Sequence, residues 1–329
     1  MMSDWIENRQ PLNPLVSVAM ATFNGEKYLG QQLDSLLDQD YPEIEIVICD
    51  DSSTDGTVPL LKKYARNSNI LLHLNDKNLG YVRNFEKTLS RCRGDYIALC
   101  DQDDVWLPQK ISRLVSLARQ TDRGLVYSDA DLIDGSGQAL RKSLRTSYNI
   151  NYVEDNRRAF YLFNCVTGCT SLVSRRLLDL ALPFPPGVIV HDWWLAFVAA
   201  RLGRMGYTNE RLIQYRTHGT NQIGIRPLTS LKTAGNIGLF LSSAKNRKEV
   251  KEVQGVWKKR YHDYFLGCLA FEQANGLETD LTEKLLEWSD EGSTWSWWGK
   301  SKLFLRQRDL FQIVPGHLRV PALLSRLFL

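Results

Sequence analysis

The strongest constraint on the fold is an alternation that begins at Leu15. Short, nearly continuous apolar runs, suited to strands buried on both faces, alternate with segments whose apolar residues recur at helical spacing. Leu15 to Ala21 is the first run and breaks at Thr22-Phe23-Asn24-Gly25. Tyr28, Leu29, Leu33, Leu36 and Leu37 then carry a helix until Asp40-Tyr41-Pro42 stops it. Ile44 to Cys49 is a second run that ends in Asp50-Asp51-Ser52-Ser53, with Thr54 or Asp55 placed to cap a helix from Thr57 to Arg66. A strand from Ile70 to Leu74, a turn at Asn75 to Gly80, a helix from Tyr81 to Arg91 and a strand from Tyr96 to Cys100 complete a βαβαβαβ order. This order predicts an α/β fold: a mainly parallel sheet flanked by helices, with right-handed crossovers. Such sheets bind ligands outside the carboxyl ends of their strands. Three of the four ends here are polar, at Thr22-Phe23-Asn24, Asp50-Asp51 and Asp101-Gln102-Asp103-Asp104, so polar groups converge on one rim.

The last of these ends concentrates the chemistry. Three carboxylates within four residues raise one another's pKa unless solvent or a cation neutralises them. Oxygen ligands suit Mg2+ or Mn2+, which keep several waters and bind through one or two carboxylates plus the phosphates of a substrate. A solvated acidic turn is the plain alternative.

Further along, Pro108 opens a helix to Gln120, Leu125 to Asp129 is a strand, and Asp131 to Gln138 is expected to be a polar turn. Arg141 to Arg158 is rich in Arg, Tyr and Asn with weak periodicity, which suits a loop or lid. Order returns from 160 to 180, with a strand at Thr170 to Val173, and Pro183-Phe184-Pro185-Pro186-Gly187 interrupts the chain. Val188 to Ala200 reads as an apolar helix opening at His191-Asp192, and Leu212 to Arg216 as a strand running into Thr217-His218. Beyond Leu228 the pattern is mostly helical.

The six cysteines include no Cys-x-x-Cys pair, and they read as buried, reduced thiols. No apolar run reaches eighteen residues, and the first residues lack the basic and apolar regions of a leader, so a cytoplasmic chain is expected. The net charge of +4 is uneven. Lys300, Lys302, Arg306, Arg308, Arg319 and Arg326 face only Asp309 in the last segment, interleaved with Trp, Phe and Leu. That interleaving at Thr294 to Arg306 and Leu323 to Leu329 suits an anionic membrane surface at the inner face of the cell membrane better than nucleic acid. Packing on the catalytic domain, or on a second subunit in a homodimer, is the alternative use.

These motifs together resemble family-two glycosyltransferases of the GT-A fold. Val16 to Asn24, Ile48 to Thr57, and Gly94-Asp95-Tyr96-Ile97 through Asp101 to Trp106 stand in that family's order and spacing, joined by His191-Asp192-Trp193-Trp194 and Tyr215-Arg216-Thr217-His218. The resemblance covers residues 15 to 222 and is nearest to bacterial enzymes that transfer rhamnose from dTDP-rhamnose onto cell-surface polysaccharides. It implies a lead-in at 1–14 and a GT-A domain at 15–227. The nucleotide-sugar half of that domain is 15–104 and the acceptor half 105–227, and a helical extension follows at 228–329.

The resemblance also implies roles. Ala21, Thr22, Phe23, Asn24 and Glu26 line the nucleoside-sugar donor, and Asp51 accepts the ring N–H of the base. Independently of the resemblance, Asn78 to Asn84 opens a helix near the nucleotide rim, which places Arg83 to meet a phosphate and Asn84 the base, with a surface Arg as the alternative. Asp103 binds Mg2+ or Mn2+, with His218 as a further ligand, while Asp101, Gln102 and Asp104 support the donor or metal-bound waters. Asp192 is the base that takes the acceptor's proton in an inverting transfer; His191 stands where the family has Glu, and burial beside Trp193 and Trp194 would raise the pKa of the base. Arg216 belongs to the same pattern as His218. The expected partners are a dTDP- or UDP-sugar and a lipid-linked saccharide acceptor. Two other readings stay open: a non-catalytic nucleotide-binding scaffold recruited to the membrane, and a nucleotidyltransferase. The nucleotidyltransferase should carry a Gly-rich loop with Arg and Lys after the first strand, which Thr22 to Lys27 matches poorly.

Overall fold

β1 (Val16–Thr22) runs through one half of a nine-stranded sheet and is buried along nearly its whole length. It has a parallel neighbour on each side, β2 (Ile44–Asp50) and β4 (Tyr96–Cys100), which is why its sequence is apolar without alternation. The structure, a computed structural model, describes residues 12–148, 150, 152, 157–218 and 247–290. The described chain divides into two compact units, neither continuous in sequence.

The first unit, drawn from 1–144, 166–183 and 203–222, holds the sheet. Its strand order is β3-β2-β1-β4-β8-β6-β9-β5, with β7 paired to β6. The added strands are β3 (Ile70–Leu74), β5 (Val105–Trp106), β6 (Leu125–Asp134), β7 (Ala139–Ser143), β8 (Ser171–Ser174) and β9 (Met205–Thr217). β3, β2, β1 and β4 are parallel, as is β6 with β9; β8 joins the two halves through antiparallel pairing to β4 and β6. The helices α1 (Glu26–Leu37), α2 (Thr57–Tyr64), α3 (Tyr81–Leu89), α4 (Lys110–Thr121) and α6 (Arg175–Ala181) flank it, α6 following the short α5 (Leu144–Tyr148) in the chain. Strand order reverses at β1, with β2 on one side and β4 on the other. This topological switch point is where an open α/β sheet leaves a crevice at its carboxyl edge.

Two expectations need correction. Residues 131–134 continue β6, because Asp131 and Ile133 pair with β7 while Asp131 to Asp134 pair with β9; Arg211 donates to Asp131 at 2.9 Å and satisfies its carboxylate. Only the four residues between β6 and β7 turn, held by Asp134 Oδ1, which accepts from Ser136 N, Ser136 Oγ and Gln138 N. Residues 141–148 are β7 and α5, not a loop. Four of the five β7 residues are exposed, so its strand character left no apolar period to read.

The second unit is drawn from 145–165, 184–202 and 223–329. α7 (His191–Arg201) is buried all round except at Asp192, which explains its uninterrupted apolar sequence. α8 (Arg247–Ala274) and α9 (Asp280–Ser289) pack on one another. A Cβ at Gly187 would lie 2.1 Å from the Asp263 backbone carbon, so only glycine lets the proline-rich segment approach α8 there. At the far end of α7, Arg201 Nε lies 2.7 Å from Glu272 Oε1, and its Nη2 donates to Glu278 O at 2.7 Å. Tyr161 and Thr282 also donate to Glu272, which is fully buried. All six cysteines are buried and free, as expected. Among the described residues, no helix is long and apolar enough to cross a membrane. Residues 1–11 of the lead-in and the basic, aromatic stretches at 294–306 and 323–329 lie outside the described residues.

Replacing Arg201 by Met strands the Glu272 charge in the interior. It should destabilise this unit by about 3–5 kcal/mol, read as a lowered denaturation midpoint; Glu272→Gln with Arg201→Met should recover part of that loss.

Candidate functional site

The loops after β1 and β2 are laced to one another by side chains acting across the gap. Asn24 N donates to Ser53 Oγ, Gly25 N to Thr57 Oγ1 and Glu26 N to Asp55 Oδ2. In return Thr54 N donates to Asn24 Oδ1 and Gly56 N to Glu26 Oε2. The first amide of α1, Glu26 N, is therefore capped by the opposite loop, whereas that of α2, Thr57 N, donates to Asp55 Oδ1 of its own loop, as expected; neither helix takes a side-chain cap from its own N-cap residue. Asn24 and Ser52 reach positive φ, at 47° and 66°, to make these turns. Thr22 Oγ1 donates to Asp50 Oδ2, and Asp50 also accepts from Ser53, so Asp50 serves the turn.

Asp51 lies at the same level, nearly buried. Its Oδ1 accepts from Asn75 Nδ2 and Leu79 N, and its Oδ2 from Gly80 N at 2.9 Å. The carboxylate thus organises the loop before α3. Gly80, at φ 80°, supplies the left-handed turn that brings its amide there. Asn84 departs from the expected role at the base: it is 2 % exposed, donates to Cys49 O and accepts from Asn75, so it frames the wall from inside. Arg83 pairs with Glu86 one turn along α3. Ala21 is half-buried at the end of β1, and Phe23 is exposed beyond it. Gln102 staples the crevice, accepting from Phe23 N at 2.9 Å and donating to Phe23 O at 3.0 Å.

The acidic stretch separates into distinct positions. Asp103 Oδ2 lies 2.8 Å from His218 Nε2, with both side chains mostly buried. One carboxylate oxygen and one imidazole nitrogen at this spacing fit two adjacent ligands of an octahedral divalent ion, which at bonds of about 2.0–2.1 Å stand about 3 Å apart. Asp104 departs from its expected place beside the donor. The chain turns inward into β5, leaving Asp104 1 % exposed, with Oδ1 accepting from Arg216 N. Burial first, then the Asp103 and Asp101 carboxylates, push its pKa well above the usual range. Ligand atoms of Asp101, Asp104 and Cys169 lie within 4.8 Å of one another.

Arg216 holds this loop. Its Nε donates to Asp103 O at 2.7 Å, its Nη1 to Asp134 O at 3.2 Å and its Nη2 to Gln31 Oε1 at 2.6 Å. Its guanidinium is committed to the chain and sits over the Tyr28 ring. Lys110 escaped sequence reasoning. It is fully buried, donates to Cys169 O at 2.6 Å and lies over the Trp106 ring, and burial lowers its pKa to about 7. Its only signal in the sequence is a Lys two residues after Pro108.

In the second unit, Asp192 stands in the first turn of α7, whose N-cap is Val190; N-capping is not its role. Asp192 Oδ1 accepts from Asn164 Nδ2 at 3.0 Å, a partner no local motif announced. Trp193 and Trp194 serve the helical core: Trp193 Nε1 donates to Phe160 O, and Trp194 stacks on Phe197. His191 is buried, and burial lowers its pKa to about 3, so it is neutral at ordinary pH.

Residues 17–180 match the family described as Glycosyl transferase family 2. A dTDP-rhamnosyl transferase of Shigella flexneri is 28% identical over 221 residues, 62% of this chain and 73% of that one. Among solved structures, TarS of S. aureus in complex with UDP-GlcNAc has a TM-score of 0.55 at 17% identity, covering 95% of this chain and 89% of the other. A mannosyltransferase of Pyrobaculum calidifontis in complex with GDP-Man and Mn2+ has a TM-score of 0.53 at 18% identity, covering 98% and 89%. The sheet described above is the GT-A fold that these structures share.

The depressed pKa of His191 means that the unfolded chain binds a proton below about pH 6.5 that the folded chain refuses until about pH 3. Its contribution is complete above the unfolded value and is lost as pH falls through that window. Stability measured by denaturant titration should decline from pH 6.5 downward, and His191→Gln should flatten that decline.

Proposed function

We propose, from the premise that this chain belongs to glycosyl transferase family 2 and is a nucleotide-sugar glycosyltransferase, that it transfers rhamnose from dTDP-rhamnose with inversion onto a saccharide acceptor. The acceptor is a lipid-linked chain of a growing cell-surface polysaccharide. The observation that carries the catalytic reading is the meeting of Asp103 and His218, 115 residues apart in sequence, at 2.8 Å. The dTDP-rhamnosyl relative supports the donor, and the GDP-Man and Mn2+ complex of the same fold supports the cofactor.

The donor half, 15–104, receives the nucleotide along Ala21, Thr22, Phe23, Asn24, Glu26 and Asp51, with Asp101 and Gln102 at the crevice. Asp103 and His218 would hold Mg2+ or Mn2+, whose chemistry is to neutralise the diphosphate as it leaves. In the acceptor half, 105–227, Asp192 takes the proton of the attacking hydroxyl. The acceptor oxygen bonds to the anomeric carbon as the bond from that carbon to the diphosphate oxygen breaks. The electron pair leaves with dTDP and the proton stays on the Asp192 carboxylate. Asn164 holds one oxygen of that carboxylate, which orients it. The Trp-rich, basic segment at 294–306 brings the chain to anionic lipid, where a lipid-linked acceptor resides.

Donor release should be selective for dTDP-rhamnose over UDP- and GDP-sugars and should require Mn2+ or Mg2+. Selective turnover of a UDP-sugar would displace the rhamnose assignment. Asp192→Asn should lower kcat by about 10²–10⁴-fold with donor binding retained; full activity in that variant removes the base. Sedimentation with phosphatidylglycerol vesicles should weaken when Lys300, Lys302 and Arg306 are replaced by Gln, and unchanged sedimentation assigns the tail to protein contacts.

A further inference from the structure

We propose that Tyr28 is the positioning residue of the metal pair: its ring props His218 directly and Asp103 through Arg216. The inference rests on the reading of Asp103 and His218 as ligands and adds a residue from a different part of the chain.

The geometry follows from strand periodicity. Arg216 is the penultimate residue of β9 and His218 follows its end; residues two apart on an extended chain share a side. Both side chains meet Tyr28, which the first turn of α1 presents to them. The His218 and Tyr28 ring centroids are 4.9 Å apart at an interplanar angle of 34°, and the Arg216 guanidinium carbon is 4.7 Å from the Tyr28 centroid. The electron-rich face of a phenol ring attracts a guanidinium and packs well against an imidazole.

The turn between β6 and β7 closes a further side of the ring. A Cβ at Gly135 would come 3.2 Å from Tyr28 Oη and 3.8 Å from His218 Cβ. Tyr28 is therefore bounded by Arg216, His218 and the Gly135 backbone. Arg216 in turn donates to Asp103 O and to Asp134 O, the residue before Gly135. One ring thus fixes the imidazole of one ligand and, through a buried cation, the backbone of the other. The rotational freedom of His218 is removed before any ion arrives, and an ion that meets ordered ligands binds more tightly than one that must order them.

The test is Mn2+ binding, followed by the free-ion electron paramagnetic resonance signal in the presence of dTDP, on the full chain. Binding of dTDP in EDTA, measured by calorimetry, shows whether each variant keeps its nucleotide wall. Tyr28→Phe keeps the ring and should bind Mn2+ within about twofold of the parent. Tyr28→Leu and Tyr28→Met fill the space without a ring and should weaken Mn2+ by about five- to tenfold while dTDP binding in EDTA is kept. Two aliphatic variants are compared so that poor folding of one leaves the test standing. Parent-like Mn2+ binding in either folded aliphatic variant overturns the proposal, and so does an equal loss in Tyr28→Phe. His218→Ala separates the levels of the argument. If it leaves Mn2+ binding unchanged, the ligand assignment falls and this inference with it; if it weakens Mn2+ while the aliphatic variants do not, only the role of Tyr28 falls.

Discussion

The architecture of the site depends on holding three carboxylates together at the end of β4. Asp101, Asp103 and Asp104 repel one another, and the cost grows as the loop is withdrawn from water. Arg216 opposes that cost from the inside. It is 1 % exposed, gives its backbone N–H to the Asp104 carboxylate and its guanidinium to the Asp103 carbonyl, and shares its charge with the Tyr28 ring. Burying such a cation is itself expensive unless its donors are used, and the carbonyls of Asp103 and Asp134 with the Gln31 amide oxygen use them. Because β9 lies parallel to β6 for most of its length, the strand delivers Arg216 and His218 to the acidic loop in a set register. The pairing of two strands far apart in sequence is thus what sets Asp103 against His218 and leaves Asp104 buried beneath the Arg216 backbone.

A second constraint acts at the neighbouring strand ends. Asp55, in the loop after β2, caps the first amides of both α1 and α2, Glu26 holds the amide of Gly56 in return, and a lost cap costs about 0.5–2 kcal/mol. With several such bonds crossing in both directions, the two loops behave as one wall. The amides of Asn24, Gly25, Glu26 and Gly56 bond to protein oxygens. In the proposed function the charge of the donor's diphosphate is met instead by a cation on Asp103 and His218. Asp51 adds a second wall by gathering Asn75, Leu79 and Gly80.

Much of this was legible along the chain. The strands β1 to β4 and the helices between them follow from apolar runs and helical spacing, which are local properties. The convergence of Thr22, Asp50-Asp51 and Asp101 to Asp104 follows from parallel connection, which places like ends on one rim. Where reading failed, the cause was non-local. β7 is exposed on an edge and carried no period, and the polar end of β6 was stabilised by Arg211 from another strand. Asn84 and Asp104 look like surface polar groups in a list of residues, yet both are buried, Asn84 bonded to Cys49 of β2 and to Asn75 just after β3, and Asp104 Oδ1 to Arg216 N of β9. Lys110 and Asn164 stand in no motif, and each is defined by what it touches.

By itself, then, the sequence determined the α/β alternation, the rim and the types of group gathered there, because strand and helix periods and the supply of carboxylates are written in neighbouring residues. Only the tertiary structure decided which carboxylate meets His218 and which is buried beneath Arg216. Identical side chains one residue apart differ only in their surroundings. Those surroundings come from β9, which reaches Asp103 across a separation of 113 residues.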